Sequence, residues 1–378
     1  MNKMIYLDYC ATTPVDKRVL NTFSKVCLEY PGNSNSLHKL GIESKELEDY
    51  ATKKIDQLLK LDNMDIIYTS GASESNNHIL KGICSKYKNR GNHIISTYLE
   101  HSSITSTLDY LAKEGFIIDY VKIKDDGTVD LEHLKELITT NTILVSIAAV
   151  DSELGIIQPI KEISNIIKEY PKCFFHSDCT QALGKIDIDF NCLDFASVSM
   201  HKIFGMKGIG LLLKKKSIII DNLIHGGKST TNYRSGTPAL PLIVSSMKAI
   251  DLIIPNIKTN YEYITELNKL IITELSNYKG IHINSTNNSI SHVINFSLTN
   301  VKPETFIHAL DNYEIYVSTK SACSNTNSIS NSVYSVTKNR EYASTSIRIS
   351  LSHLTTKEEI TKFLNIFNTC YKNLTLKD

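Results

Sequence analysis

Ser197-Val-Ser-Met-His-Lys-Ile-Phe-Gly-Met-Lys-Gly-Ile-Gly210 is the stretch on which the reading of this chain turns. It continues the apolar run Leu193-Asp-Phe-Ala-Ser-Val198 and leads into Ile209-Gly-Leu-Leu-Leu213, which predicts a turn between two buried strands with glycines at its exit. Lys202, near the centre, is poorly placed for ordinary solvation. A partly desolvated lysine has a lowered pKa and becomes a nucleophilic amine able to join a carbonyl. His201 and the hydroxyls of Ser197 and Ser199 suit a phosphate beside it. Taken alone, the stretch reads better as a surface turn whose lysines are simply solvated. Its surroundings decide.

Upstream, strand-like and helix-like segments alternate. Asp65–Thr69, His93–Ser96, Phe116–Val121, Thr142–Val150, Cys173–Ser177 and Leu193–Ser199 read as strands. Ile79–Ile83, Ser102–Lys113, Leu131–Ile138 and Pro159–Glu169 read as helices, and Leu40–Leu61 repeats its apolar residues at helical spacing. Such alternation predicts parallel strands with crossover helices, and ligands gathered at the carboxyl ends of the strands. Glu100-His101, Asp151-Ser-Glu-Leu-Gly155, Asp178-Cys-Thr-Gln181 and His201-Lys202 stand at those ends.

Between the first of these strands and its helix lies Ser70-Gly-Ala-Ser-Glu-Ser-Asn-Asn77. Small residues there leave backbone N–H groups free at the positive end of a helix, an arrangement that cradles a phosphate. The run is neither a Walker loop nor Gly-x-Gly-x-x-Gly, so it does not indicate a nucleotide. A phosphate cradle, an imidazole, a carboxylate, an amide and a lysine on one rim match the needs of pyridoxal phosphate. Its ring nitrogen wants an anion, its ring face a stacking partner and its aldehyde a lysine.

Composition narrows the classes. The chain has 378 residues, enough for two domains, and Lys plus Arg (41) nearly balance Asp plus Glu (40). That balance gives no electrostatic case for nucleic acid or an anionic membrane as partner. No apolar run approaches the roughly 18 residues of a membrane helix, and the N-terminus lacks a secretory apolar core, so a cytoplasmic protein is expected. The eight cysteines contain no Cys-x-x-Cys pair, so neither a zinc ribbon nor a cluster site is expected, and no metal site is assigned.

The motifs occur in an order that resembles the NifS/IscS-type cysteine desulfurases of the class-V aminotransferase family, fold-type I pyridoxal phosphate enzymes. They are Tyr6-Leu-Asp-Tyr-Cys-Ala-Thr-Thr-Pro-Val15, Gly32-Asn-Ser-Asn-Ser-Leu-His38, Thr69–Asn77, Glu100-His101, Gly155-Ile-Ile-Gln-Pro-Ile160, His176–Lys185, His201-Lys202, Arg234-Ser-Gly-Thr237, Ser321-Ala-Cys-Ser324 and Ser346-Ile-Arg-Ile-Ser350. The resemblance spans nearly the whole chain. It implies an α/β fold with a mainly parallel sheet between helices in a large domain (15–257), and a smaller α+β domain built from 1–14 and 258–378.

The resemblance further implies the roles. Lys202 joins the cofactor aldehyde and moves protons at the substrate, Asp178 pairs with the ring nitrogen, His101 stacks on the ring, and Gln181 bonds its hydroxyl. Ala72, Ser73, Ser199 and His201 hold the phosphate, with Thr237 arriving from the second subunit of a homodimer. Arg348, helped by Asn33, clamps the carboxylate of L-cysteine. Cys323, in a polar loop at about 318–331, takes the substrate sulfur as a persulfide, leaving alanine, and passes it to an acceptor such as an iron–sulfur scaffold or a tRNA-thiolating enzyme.

Some positions depart from the pattern. Ser152, near the ring hydroxyl, stands for a usual Asn, Ser73 for Thr, Lys320 for Gly, Met206 for Pro and Ser352 for Gly. A selenocysteine lyase, a C–S lyase or an aminotransferase on the same cofactor, and a non-catalytic partner subunit, stay open as other readings.

Overall fold

The computed structural model describes residues 4–227, 229–319 and 329–375. The chain opens with β1 (Ile5–Tyr6) and, past Pro14, enters α1 (Lys17–Glu29), where the Asp16 carboxylate caps the helix by accepting from the Arg18 N–H. Only Val19 and Val26 of α1 are buried, too thin a stripe for its periodicity to be read from sequence. α2 (Lys39–Leu58) buries Gly41, Ser44, Glu48, Ala51 and Ile55. Leu40, expected on that stripe, is exposed, and Glu48 takes an inner place because Ser34 and Lys45 both donate to its carboxylate.

The expected alternation follows. Its elements are β2 (Met64–Thr69), α3 (Ala72–Tyr87), β3 (His93–Ser96), α4 (Ser102–Lys113), β4 (Ile117–Tyr120), α5 (Leu131–Leu137), β5 (Thr142–Ser146), α6 (Ile160–Ile167), β6 (Phe174–Asp178), β7 (Phe195–Ser199) and β8 (Gly210–Lys215). They build one seven-stranded sheet in the order β2-β8-β7-β6-β5-β3-β4. From β7 through β4 every pairing is parallel, whereas β8 runs antiparallel to both β7 and β2. The reason lies at the lysine stretch: residues 200–209 are too few for a crossover, so the chain must return beside the strand it left. The inner strands β3, β5 and β7 are buried at every position, as a sheet covered on both faces requires.

Next come α7 (Leu240–Ile253) and α8 (Ile257–Leu275), broken by a 3-10 turn at Ile254–Asn256 that contains Pro255. Contrary to the expectation from sequence, Leu240–Leu275 is long and apolar enough by length and composition to cross a membrane, with an 18-residue window of mean hydropathy 1.4. In the fold, α7 packs on α1 and α2, with Ile243, Val244 and Ile250 in the core. Its hydropathy reflects burial in protein.

The remainder forms a second core. β9 (Ile281–Ile283), β10 (Val293–Leu298), α9 (Pro303–Asp311), β11 (Ile315–Tyr316), α10 (Asn331–Thr337), α11 (Arg340–Ser344), β12 (Ser346–Ser350) and α12 (Lys357–Thr375) follow in order. β12-β10-β9 make an antiparallel sheet, and β1 returns from the N-terminus to pair in parallel with β11. Ile5 and Leu7 thereby join Phe296, Phe306, Phe363 and Phe367 in that core. Phe306 and Phe363 meet Phe367 edge-on at 4.9 and 5.7 Å, the geometry that ring quadrupoles favour. Threading the N-terminus this way lays residues 8–13 along the boundary between the two cores, directly over the turn that carries Lys202.

Candidate active site

Lys202 ends β7's continuation in a 3-10 turn, and its amine donates to the backbone carbonyls of Cys10 (2.6 Å) and Ala11 (2.8 Å). Burial pushes its pKa down to about 8, opposed by Cys10 and helped by the cations Lys185 and Arg348. The turn is clasped by the N-terminal segment. Thr13 donates its N–H and hydroxyl to the His201 carbonyl, each at 2.9 Å, and its hydroxyl accepts from the Phe204 N–H at 2.7 Å. Phe204 has φ +63°, a left-handed conformation costing a non-glycine residue on the order of 1 kcal/mol. Its ring against His353, 4.7 Å between centroids, and the Thr13 bond hold it there.

Asp178 ends β6. One carboxylate oxygen accepts from the Thr180 N–H (2.9 Å) and the other from the Asn76 amide (2.8 Å), so the anion is held from both sides. His101, the N-cap of α4, accepts the Ser103 N–H at Nδ1 (3.2 Å), which places the proton of the neutral ring on Nε2. Burial lowers its pKa; Asp178 acts the other way and Lys202 in the same direction. The net shift favours the uncharged ring.

α3 begins at Gly71 without a side-chain cap, leaving its first N–H groups directed outward beside Ser73. Gly210 permits this approach. A Cβ there would stand 2.7 Å from the Gly71 backbone and 2.6 Å from the Val198 carbonyl, so no other residue fits between β2 and β7. Ser199 and His201 lie on the same wall, with His201 Nδ1 3.1 Å from Thr12 Oγ1 and its pKa pushed down to about 4, first by burial and then by Lys202.

Arg348, on β12, is 2 % exposed. It donates to the Ser152 carbonyl (2.8 Å) and pairs with Asp8 (2.9 Å), while its Nε has no partner among the described residues. A cleft of about 580 Å³ lies among these groups. Ala72, Ser73, His101, Ser152, Asp178, Gln181, Ser199, His201, Lys202 and Arg348 all line it. Asn33 and Thr237 are exposed in the protomer and do not. Cys323, with Lys320, lies outside the described residues. The sequence reading passed over Cys10, Thr12, Asn76 and Thr180. Thr180 Oγ1 is buried without a partner among the described residues, and the role of Cys10 rests on a carbonyl, which no side-chain pattern announces.

Glu100 sits behind the cleft. One oxygen accepts from the Ala148 N–H (2.9 Å) and the Thr97 hydroxyl (2.8 Å), while Oε2 is buried without a partner among the described residues. Burial pushes its pKa up to about 8, the Ala148 and Thr97 bonds opposing and Asp178 and Asp151 adding to the rise. The folded protein then holds a proton that the unfolded chain releases near 4.5, so this contribution to stability is complete below 4.5 and is lost as pH rises through 8. Glu100→Gln, a neutral mimic, is expected to flatten the decline of urea stability between pH 5 and 9; equal slopes in variant and parent would contradict this.

The comparisons with known proteins agree with the geometry. The class-V aminotransferase family model matches residues 5–363. A cysteine desulfurase IscS of Buchnera aphidicola is 39% identical over 94% of this chain and 90% of its own length. The solved structure of a NifS-like protein is 33% identical, with a TM-score of 0.92 and coverage of 98% of this chain and 100% of its own. A structure described as SspA in complex with cysteine is 29% identical, with a TM-score of 0.81 over 93% of this chain and all of its own. The fold is thus shared with solved relatives, and the chain belongs to the class-V aminotransferase family, with the NifS/IscS-like cysteine desulfurases.

Proposed function

We propose that the protein is a pyridoxal phosphate-dependent cysteine desulfurase, converting L-cysteine to L-alanine and a persulfide. The observation that carries this reading is Lys202, an amine with pKa about 8 in a cleft that also presents the Asp178 carboxylate and the Arg348 guanidinium. The residues fit the cofactor. An uncapped helix start with Ser73, Ser199 and His201 suits its phosphate, and Asp178 suits its ring nitrogen. When bound, that group supplies an electron sink that labilises bonds at the substrate carbons.

The chain's own residues do the rest. Lys202 Nζ would hold the aldehyde, and as a free amine it would carry a proton at the substrate. His101, whose Nδ1 accepts the Ser103 N–H, would stack on the ring with its Nε2 proton available. Gln181 would donate to the ring oxygen, with Ser152 nearby. Arg348, already oriented by Asp8 and the Ser152 carbonyl, takes the substrate carboxylate, as a planar guanidinium does better than an ammonium. The Cys323 thiolate attacks the substrate sulfur, so that an S–S bond forms as the Cβ–S bond breaks and the electron pair stays on carbon.

A homodimer bringing Thr237 to the partner's cleft belongs to the same proposal, as do Asn33 helping Arg348 at the substrate carboxylate, the division 15–257 against 1–14 with 258–378 and a protein acceptor for the sulfur. The seven described cysteines are all free thiols, in keeping with a reducing, cytoplasmic setting. Incubated with L-cysteine and reductant, the loaded enzyme is expected to yield L-alanine and sulfide in equal amounts. Pyruvate and ammonia in place of alanine would assign a C–S lyase, and a colourless protein inert to cysteine would assign a binding subunit.

A further inference from the structure

Lys185 is a second buried amine beside the cleft, one for which the mechanism above has no use. It is 7 % exposed, and its Nζ donates to Gln181 Oε1, four residues back. Gly184 makes the return possible. Its φ of +74° reverses the chain, and a Cβ there would stand 2.9 Å from Ile253 and 3.0 Å from Ile203.

Lys185 Nζ is the donor and Gln181 Oε1 the acceptor, so the amide oxygen faces Lys185. The Gln181 nitrogen therefore points the other way. One of its protons goes to the Cys10 carbonyl at 3.0 Å, the carbonyl that also receives Lys202 at 2.6 Å, and the second has no partner among the described residues. Without a cation behind it, the amide is free to turn over and set its oxygen against the Cys10 carbonyl and against any acceptor oxygen in the cleft. Both contacts are repulsive.

We propose that Lys185 is a positioning residue: it fixes the Gln181 amide with its donor toward the cleft and so fixes the carbonyl seat of Lys202. The inference rests on the proposed function only for the identity of the ligand oxygen that the amide meets. Arg348, Cys10, Asp8, His101, His201 and His292 are the other titratable groups coupled to Lys185 or Lys202; Lys185 helps to hold His201 and His292 down, so its replacement relaxes those two upward as well. Burial lowers the Lys185 pKa, and the positive charge it carries when protonated disfavours a second one on Lys202.

The test uses Lys185→Met, Lys185→Gln and Lys185→Arg. In cofactor-free protein, Lys202 is labelled with limiting acetic anhydride across pH 6–10 and quantified by peptide mass spectrometry. In loaded protein, the visible band is titrated over the same range. The expected result for Lys185→Met is a labelling midpoint moved upward from about 8 and a displaced visible titration, with Lys185→Arg close to the parent. Lys185→Gln keeps a donor to the amide and is expected to retain the parent's visible titration while sharing the upward labelling shift. Parent-like profiles in Lys185→Met, with an unchanged circular-dichroism melt, overturn the proposal. If Lys185→Met does not fold, the Gln and Arg variants decide by the same two profiles: identical behaviour of both in both assays overturns it. Failure of the parent to take up pyridoxal phosphate counts against the proposed function and leaves the labelling arm to judge Lys185.

Discussion

Lys202→Ala is expected to lower turnover of L-cysteine by about a thousandfold or more, the scale seen when a nucleophile of covalent catalysis is removed. A pKa of about 8 leaves roughly a tenth of the amine neutral at pH 7, against less than a thousandth at the ordinary 10.5. Burial thus enlarges the reactive population by more than two orders of magnitude. The carbonyls of Cys10 and Ala11 hold that amine without neutralising it, since they are dipoles and not anions. Lys202→Arg is no rescue, because a guanidinium stays protonated throughout the working range. Both variants are expected to lose the visible absorption of lysine-bound cofactor. Retention of a tenth of parental turnover by Lys202→Ala would remove the lysine from the chemistry.

Arg348→Met is expected to lose both substrate and stability. The guanidinium is almost wholly buried, and its Asp8 partner is itself only 19 % exposed. Breaking a buried pair at one end leaves the other charge uncompensated and costs about 3–5 kcal/mol. The Ser152 carbonyl loses its donor as well. Arg348→Lys keeps the charge but serves at most one of these two partners while presenting a carboxylate contact. It is expected to fold, with KM for L-cysteine raised about a hundredfold and kcat reduced much less, as the loss of a bidentate charge-assisted contact predicts. Steady-state kinetics with thermal melts of both variants check this. An unchanged KM in Arg348→Lys would place the substrate carboxylate elsewhere.

The two substitutions also show which parts of the molecule were legible in its sequence. Asp178, His101 and Lys202 stand at strand ends in a regular alternation of apolar runs, and helix 102–113 was predictable because Ile104, Leu108 and Leu111 share one face. The reversal of β8 was not drawn from the pattern, since a buried strand reads the same in either direction. Nor was the seat of Lys202, which depends on backbone carbonyls almost two hundred residues away. Asp8 with Arg348, and Asn76 with Asp178, are pairs whose meeting depends on sheet order and on the return of the N-terminus to β11. Periodicity carries no record of such closures. Asn33 and Thr237 came from resemblance alone, and in the protomer they stand outside the cleft.

The reaction assigned here depends on where the substrate sulfur goes. Intact-protein and peptide mass spectrometry of the loaded enzyme, after brief exposure to L-cysteine without reductant, reads this directly when parent and Cys323→Ser are compared. The account predicts extra sulfur mapping to Cys323 in the parent, L-alanine released alongside it, and both lost in the variant. L-Alanine formed at the parental rate by Cys323→Ser, or sulfur accumulating on a cysteine other than Cys323, would contradict it.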